Sequence, residues 1–166
     1  MQLSDSGVKQ KKQDPDFDTI IETVLTTSRV FVAIAARSLV VIEPNVTLPQ
    51  YRLLVVLAAH GPQGLGTLAE LLTVNSSTAT RMCDRLIRKG FIRRRTSSSD
   101  RREVRLALTT RGRSLVNHAT TQRRKELRKL LKSVPAAEQR HLIKALAYIN
   151  AAAGEVPDLD WASGWH

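Results

Sequence analysis

Apolar residues recur at three- and four-residue steps from Phe17 onward, through Ile20, Ile21, Val24, Leu25, Phe31, Ile34, Ala35, Leu39 and Ile42. That spacing gathers them on one side of a helix and predicts a long amphipathic helix ending before Pro44. Thr47-Leu48-Pro49-Gln50 fits a capping box with proline in the first turn and opens a second helix through Leu57. Gly61-Pro62-Gln63-Gly64 breaks it. Leu65 to Leu72 forms a short third helix, Thr73-Val74 a turn, and Asn75 caps a fourth helix that runs to Lys89 and stops at Gly90. The period then changes. Phe91 to Arg95 and Glu103 to Leu108 read as two strands, and on the second Val104, Leu106 and Leu108 alternate with Glu103, Arg105 and Ala107, as in a strand with one face on the core. Helical spacing returns at Thr109, with Leu115, Val116, Ala119, Leu127, Leu130 and Leu131 marking one face up to Ser133. A final helix from Pro135 carries Leu142, Ile143, Leu146 and Ile149 and ends near Gly154.

These elements predict a mainly α fold with a small β wing: a winged helix-turn-helix over residues 46–109, with long flanking helices over 15–45 and 110–154. The flanking helices have more apolar surface than the small central domain can cover. Surplus faces at both ends of a chain are usually buried against a second copy, so the pattern predicts a symmetric homodimer built on those helices. Residues 1–14, polar and carrying Lys9, Lys11 and Lys12, lack the apolar side chains to offset ordering entropy and are expected to form a mobile basic arm. Residues 155–166 form an acidic tail holding Trp161 and Trp165.

Composition narrows the classes. Of 166 residues, 42% are apolar, enough for a core. The longest apolar stretch near the start, Val30 to Ala36, is too short to span a bilayer, and the N-terminus lacks the layout of a secretory signal. A cytoplasmic protein with no membrane partner is expected. The single cysteine, Cys83, excludes a disulfide framework, and the histidines at 60, 118, 141 and 166 form no ligand-spaced pair, so neither metal nor cofactor is expected. With no glycine-rich phosphate loop and no recognisable nucleophile arrangement, the chain is not read as an enzyme.

Charge supplies the chemistry. Between Arg81 and Arg113 stand twelve Arg and Lys against three acids, a net +9 of the chain's formal +11. Cations placed on phosphates release condensed counterions, so such a patch is the footprint of a nucleic-acid site. On the fourth helix Ala79, Met82 and Leu86 fall on one face, while Ser77, Arg81, Asp84 and Arg88 lie opposite with Arg85 beside them. A helix of this kind fits the major groove, where Arg forks onto guanine and short hydroxyls reach base edges or phosphates. Ser76, Ser77 and Thr78 also occupy the helix N-terminus, which favours a phosphate. Asp84, which would repel phosphate, is expected to pair with Arg81 or Arg88. On the hairpin tip Arg101 and Arg102 are candidates for a narrow minor groove, with Asp100 orienting a guanidinium. Arg93, Arg94 and Arg95 alternate across the ribbon, so only some of them reach DNA, and Arg94 is the candidate among them. Single-strand and RNA modules stack bases on exposed rings, and the basic segment holds only Phe91. The partner is therefore read as double-stranded DNA.

In this order and spacing, Leu48-Pro49-Gln50-Tyr51, Leu68-Ala69-Glu70-Leu71, Ser77-Thr78-Ala79-Thr80-Arg81, Asp84-Arg85-Leu86, Gly90-Phe91-Ile92, and Asp100-Arg101-Arg102 followed by Leu108-Thr109 resemble the MarR family of regulators. The resemblance covers most of the chain, excepting the N-terminal arm and the tail. It implies a dimeric transcription factor, most often a repressor, on a pseudo-palindromic operator and released by a small aromatic or anionic effector. It also implies that Ser77, Thr80, Arg81 and Arg85 lie on the recognition helix, that Arg102 is the minor-groove wing arginine, and that Asp100 supports it. Thr73 stands where relatives often have glycine, and Gly64 where a Thr or Ser cap is common. A hinge between stalk and DNA lobe is the expected effector site, with Ser38 and Tyr51 as candidates, although core packing is the better reading of either alone. Cys83 sits beside the apolar stripe of the fourth helix and reads as a small packed side chain. The alternative is a thiol switch, if Arg81, Arg85 and Lys89 lower its pKa. The competing function is an architectural or non-specific DNA-binding protein of the same fold without ligand control.

Overall fold

A computed structural model describes residues 16–96 and 104–155. The basic arm, the hairpin tip and the Trp-bearing tail beyond Glu155 lie outside the described residues. The chain divides into two compact units, Met1–Ala33 and Ile34–His166. In the first, the described residues form the N-terminal part of helix α1 (Phe17–Ile42), with Phe17, Ile20, Ile21, Val24, Leu25 and Val32 all exposed. An 18-residue stretch of α1 has mean hydropathy 1.6, so by length and composition alone this helix could cross a bilayer. Counting the uninterrupted apolar run Val30 to Ala36 understates it, because isolated Ser and Thr can return their hydroxyls to the backbone, as Thr23 does to the Thr19 carbonyl (2.8 Å).

The second unit continues with α2 (Leu48–His60), α3 (Leu65–Leu71), α4 (Ser76–Arg88), β1 (Ile92–Thr96), β2 (Val104–Leu108), α5 (Thr110–Leu131) and α6 (Ala136–Ala153). The capping box at the start of α2 is present in both directions, Gln50 N to Thr47 Oγ1 and Thr47 N to Gln50 Oε1. The helix runs three residues past Leu57, to His60, and its C-cap Gly61 takes φ 71°. Gly64 caps α3 without a side-chain bond. Thr73 follows with φ 56°, the only non-glycine residue with positive φ among the described residues. Its neighbour's bond, Val74 N to the Ala69 carbonyl (3.0 Å), closes the left-handed helix end that glycine usually supplies.

The core joins Leu53, Leu54 and Leu57 of α2, Leu68 of α3, Met82 and Leu86 of α4, Phe91 and Ile92, Leu106 and Leu108, and Leu115, Val116 and Ala119 of α5. The ribbon is antiparallel, Ile92 opposite Leu108 and Arg94 opposite Leu106. Gln63, read from sequence only as part of a helix break, adds a third edge by exchanging both backbone bonds with Leu106 (3.0 and 2.7 Å). Simple alternation on β2 fails at two positions. Val104 is exposed, because it lies toward the hairpin end, whereas Ala107 is buried, because the ribbon base meets α2 and α5 as well as α4.

Thr109 caps α5 by accepting from Gly112 N (3.0 Å), and its own N–H donates to the Phe91 carbonyl (3.0 Å). A Cβ on Gly112 would collide with that carbonyl oxygen. Ser38, on the last turns of α1, is buried and donates to the Ile34 carbonyl (2.8 Å). Helix α6 has no buried residue and ends at Gly154 (φ 66°), after which Glu155 accepts from Arg52 of α2 (3.0 Å).

Two stability changes follow. Gly112→Ala is expected to lower stability by about 1–3 kcal/mol through overpacking against backbone, read as a lower midpoint in thermal unfolding. Thr73→Gly is expected to raise the midpoint by a few degrees, since removing Cβ strain of about 1–2 kcal/mol outweighs glycine's added unfolded-state freedom. An unchanged or lower midpoint for the glycine variant would show that Thr73 is not strained.

Candidate nucleic-acid interface

Helix α4 is held by its buried side, Ala79, Met82, Cys83 and Leu86. Its start is organised by Asn75, whose Oδ1 accepts from Thr78 N (2.8 Å) and from Ser77 Oγ (2.9 Å). Ser76, Ser77, Arg81, Arg85 and Arg88 are exposed. Ser77 and the three arginines fall within about 80° of the helix circumference, a single outward ridge. Thr78 is half-buried and takes a bond from Arg81 (3.3 Å), so the first arginine of the ridge is braced against its own helix. Thr80 is placed differently. It is half-buried, returns its hydroxyl to the Ser76 carbonyl (2.8 Å), and lines a cavity of about 280 Å³ between α3, α4 and the ribbon.

The partner of Asp84 is neither Arg81 nor Arg88 but Arg94 of β1 (3.1 Å). Arg94 shares a ribbon face with Ile92 and Leu106, the side turned to α4, which is why a residue ten positions away reaches Asp84 before its helical neighbours do. Arg94 thereby ties ribbon to helix, while Arg93 and Arg95 lie on the other face. Asp100, Arg101 and Arg102 lie outside the described residues. Of the effector candidates, Ser38 has its hydroxyl bonded within α1, and Tyr51, also buried, places its hydroxyl 3.4 Å from Thr120 Oγ1 of α5.

Two cations counted in the basic patch serve inside the chain. Lys89 Nζ donates to the Asn45 carbonyl and to Gln50 Oε1, fastening the end of α4 to the α1–α2 loop. Arg111 donates to the Lys89 carbonyl (3.0 Å), pairs with Glu43 (3.4 Å) and covers the Phe91 ring at 4.5 Å. No local sequence signal marks these roles, since the hydrogen-bond and ion-pair partners lie 22 to 68 residues apart. The net charge of the segment therefore overstates what it presents outward.

Cys83 is 3% exposed, and burial, with Asp84 beside it, pushes its thiol up to about 11 despite the opposing Arg94. Burial accords with the packed reading of Cys83; the alternative, a thiol activated by Arg81, Arg85 and Lys89, is not supported, because the two arginines stand on the exposed side and Lys89 is engaged by Asn45 and Gln50.

A capped helix presenting a polar and basic ridge, preceded by a helical turn and followed by an antiparallel ribbon tied to it, defines a winged helix-turn-helix DNA-binding protein. The MarR family model matches residues 46–104. The fold is similar to that of RV1404 from Mycobacterium tuberculosis, with 41% identity, TM-score 0.80, and coverage of 87% of this chain and 99% of that one. The sequence is 29% identical over 147 residues to the HTH-type transcriptional regulator PecS of Dickeya dadantii, covering 86% of this chain and 89% of PecS. Streptococcus pneumoniae FabT, solved in complex with DNA, shares the fold at 22% identity (TM-score 0.70; 82% and 96% covered). The chain belongs to the MarR family, a family of DNA-binding transcription regulators and not of enzymes.

Folded protein is expected to resist thiol alkylation at Cys83 near neutral pH and to react on unfolding; equal rates in both states would contradict the burial. The raised folded pKa also sets a sign. Cys83's contribution is intact below 9.0, its unfolded value, and is lost as pH rises through about 11. The stability advantage of wild type over Cys83→Ala should therefore shrink across that window in denaturant titrations.

Proposed function

We propose that the chain is a sequence-specific regulator that acts as a homodimer on a pseudo-palindromic DNA operator, represses transcription from it, and is released by a small aromatic or anionic effector. The ridge of Ser77, Arg81, Arg85 and Arg88 carries this reading: it is exposed, on one side of a helix whose other side is packed, and the acid of that helix, Asp84, is held by Arg94. Ser77, Arg81 and Arg85 read base edges in the major groove, and Ser76 and Thr78 lie at the helix N-terminus, where phosphate is favoured. Arg101 and Arg102, with Asp100, enter the minor groove. Thr80 and Arg94 act from behind the ridge, positioning the ribbon.

Dimerisation is supported by apolar surface that one chain leaves uncovered. Val40 and Val41 on α1 and Ile143, Tyr148 and Ile149 on α6 are all more than half exposed. A second copy covering α1 and α6 also accounts for the apolar character of α1 without a bilayer, in keeping with a cytoplasmic protein that meets DNA. Two recognition helices would then reach major grooves about 34 Å apart. An effector acting beside Ser38 and Tyr51 would exchange for the Tyr51–Thr120 bond; a hundredfold loss of operator affinity needs about 2.8 kcal/mol of such coupling.

Selection from a random duplex library is expected to return an inverted repeat, bound about 10³-fold or more tightly than random duplex at physiological salt. Ratios within about tenfold would favour an architectural protein instead. Arg81→Ala with Arg85→Ala should lower affinity for the selected site at least about tenfold, on the scale of one lost bidentate base contact, with the thermal midpoint unchanged.

A further inference from the structure

A second concentration of positive charge lies away from the reading head. Lys125, Arg128 and Lys129 on α5, and Lys132 at its C-cap, are all exposed. At 3.6 residues per turn they fall within about 100° of the helix circumference. Leu127, Leu130 and Leu131 occupy the opposite side. The one acid of this stretch, Glu126, is set off the cationic face and pairs with Arg37 of α1 (3.9 Å). Among the described residues no acid pairs with any of these four cations.

The placement separates this face from α4. The first turns of α5 are packed, with Leu115, Val116 and Ala119 buried against the domain, and Thr120 meets Tyr51 of α2. No residue of α5 beyond Ala119 is buried. Lys125 stands about 22 Å along the helix axis from Thr110, which adjoins the ribbon base. The sets Lys125/Arg128, Lys125/Lys129, Arg128/Lys132 and Lys129/Lys132 are three or four apart, so each repels its neighbour on the helix surface. The helix dipole favours cations in the last turn, but Lys125 lies before it and the mutual repulsion remains.

We propose that this face of α5 is a second contact for duplex DNA, holding the phosphates of a segment other than the one read by α4. The face spans about 10 Å, a length over which a duplex presents about six phosphate charges. It carries no aromatic ring on which an unpaired base could stack, and no apolar side chain to enter a lipid surface. A second copy of the same face is excluded by like charge. A molecule engaged through α4 is thereby able to bring two DNA segments together, which goes beyond recognition of a single operator.

The test uses full-length protein and short random-sequence duplexes carrying two different dyes. Wild type is expected to co-sediment both dyes at about 50 mM salt and to lose them by about 200 mM. The variant Lys125→Gln, Arg128→Gln, Lys129→Gln, Lys132→Gln keeps helix-forming side chains and should lose co-capture about tenfold or more while still binding one duplex. In a background of Arg81→Ala with Arg85→Ala, the same four changes should lower the log–log salt slope of the remaining binding by about 3–4. The variant Lys125→Arg, Lys129→Arg, Lys132→Arg should preserve co-capture, separating charge from folding. Unchanged co-capture in the glutamine variant would overturn the proposal and leave bridging to pairs of α4 heads. Preferential capture of polyglutamate or anionic vesicles over duplex would overturn it as well. Failure to select an operator is read in a separate measurement and leaves these outcomes intact.

Discussion

The winged helix-turn-helix depends on a single backbone junction at Phe91. Its N–H donates to the Leu86 carbonyl at the end of α4, its carbonyl accepts from Thr109 at the start of α5, and its ring is buried beneath Arg111. One residue thus sets the angles at which α4, the ribbon and α5 leave the core. The approach of α5 is so close that only a residue without Cβ fits at Gly112. Gly90, at φ 74°, supplies the reversal that brings the chain to this point. Because the three elements share the junction, a change in the direction of α5 must move the ribbon base.

Around that junction the charges divide into two kinds. Lys89 and Arg111 are held internally by carbonyls, Gln50 and Glu43, where they replace capping groups and join segments distant in sequence. Arg81, Arg85 and Arg88 stand outward on a helix whose apolar side is packed. Asp84 marks the boundary. By pairing with Arg94 it removes a negative charge from the outward field and spans helix and ribbon in one contact, although an exposed pair of this kind contributes only about 0–1 kcal/mol. Its value is in orientation more than in stability. Lys125, Arg128, Lys129 and Lys132 belong to neither group, since among the described residues no acid pairs with them and they stand apart from the ridge.

Much of this was legible without coordinates. Helical spacing placed the six helices of the described residues to within a few positions. The caps at Thr47 and Asn75 and the stops at Gly61, Gly90 and Gly154 are local chemistry that any fold would have to honour. The packed side of α4 and the outward ridge followed from the 3.6-residue period alone, because a stripe of Ala79, Met82 and Leu86 has only one stable orientation toward a core. Thr73 in a left-handed turn was likewise visible as a departure from glycine.

What the linear order could not contain was which groups meet. The pairing of Asp84 with Arg94, the strand-like bridge of Gln63 to Leu106, the burial of Ala107, the raised thiol of Cys83, and the internal employment of Lys89 and Arg111 all arise where elements cross. Periodicity and capping are properties of a chain with its immediate neighbours, so sequence alone determined the elements and their faces. Coulomb attraction, desolvation and close approach depend on distances between segments tens of residues apart, and only the tertiary structure sets those distances.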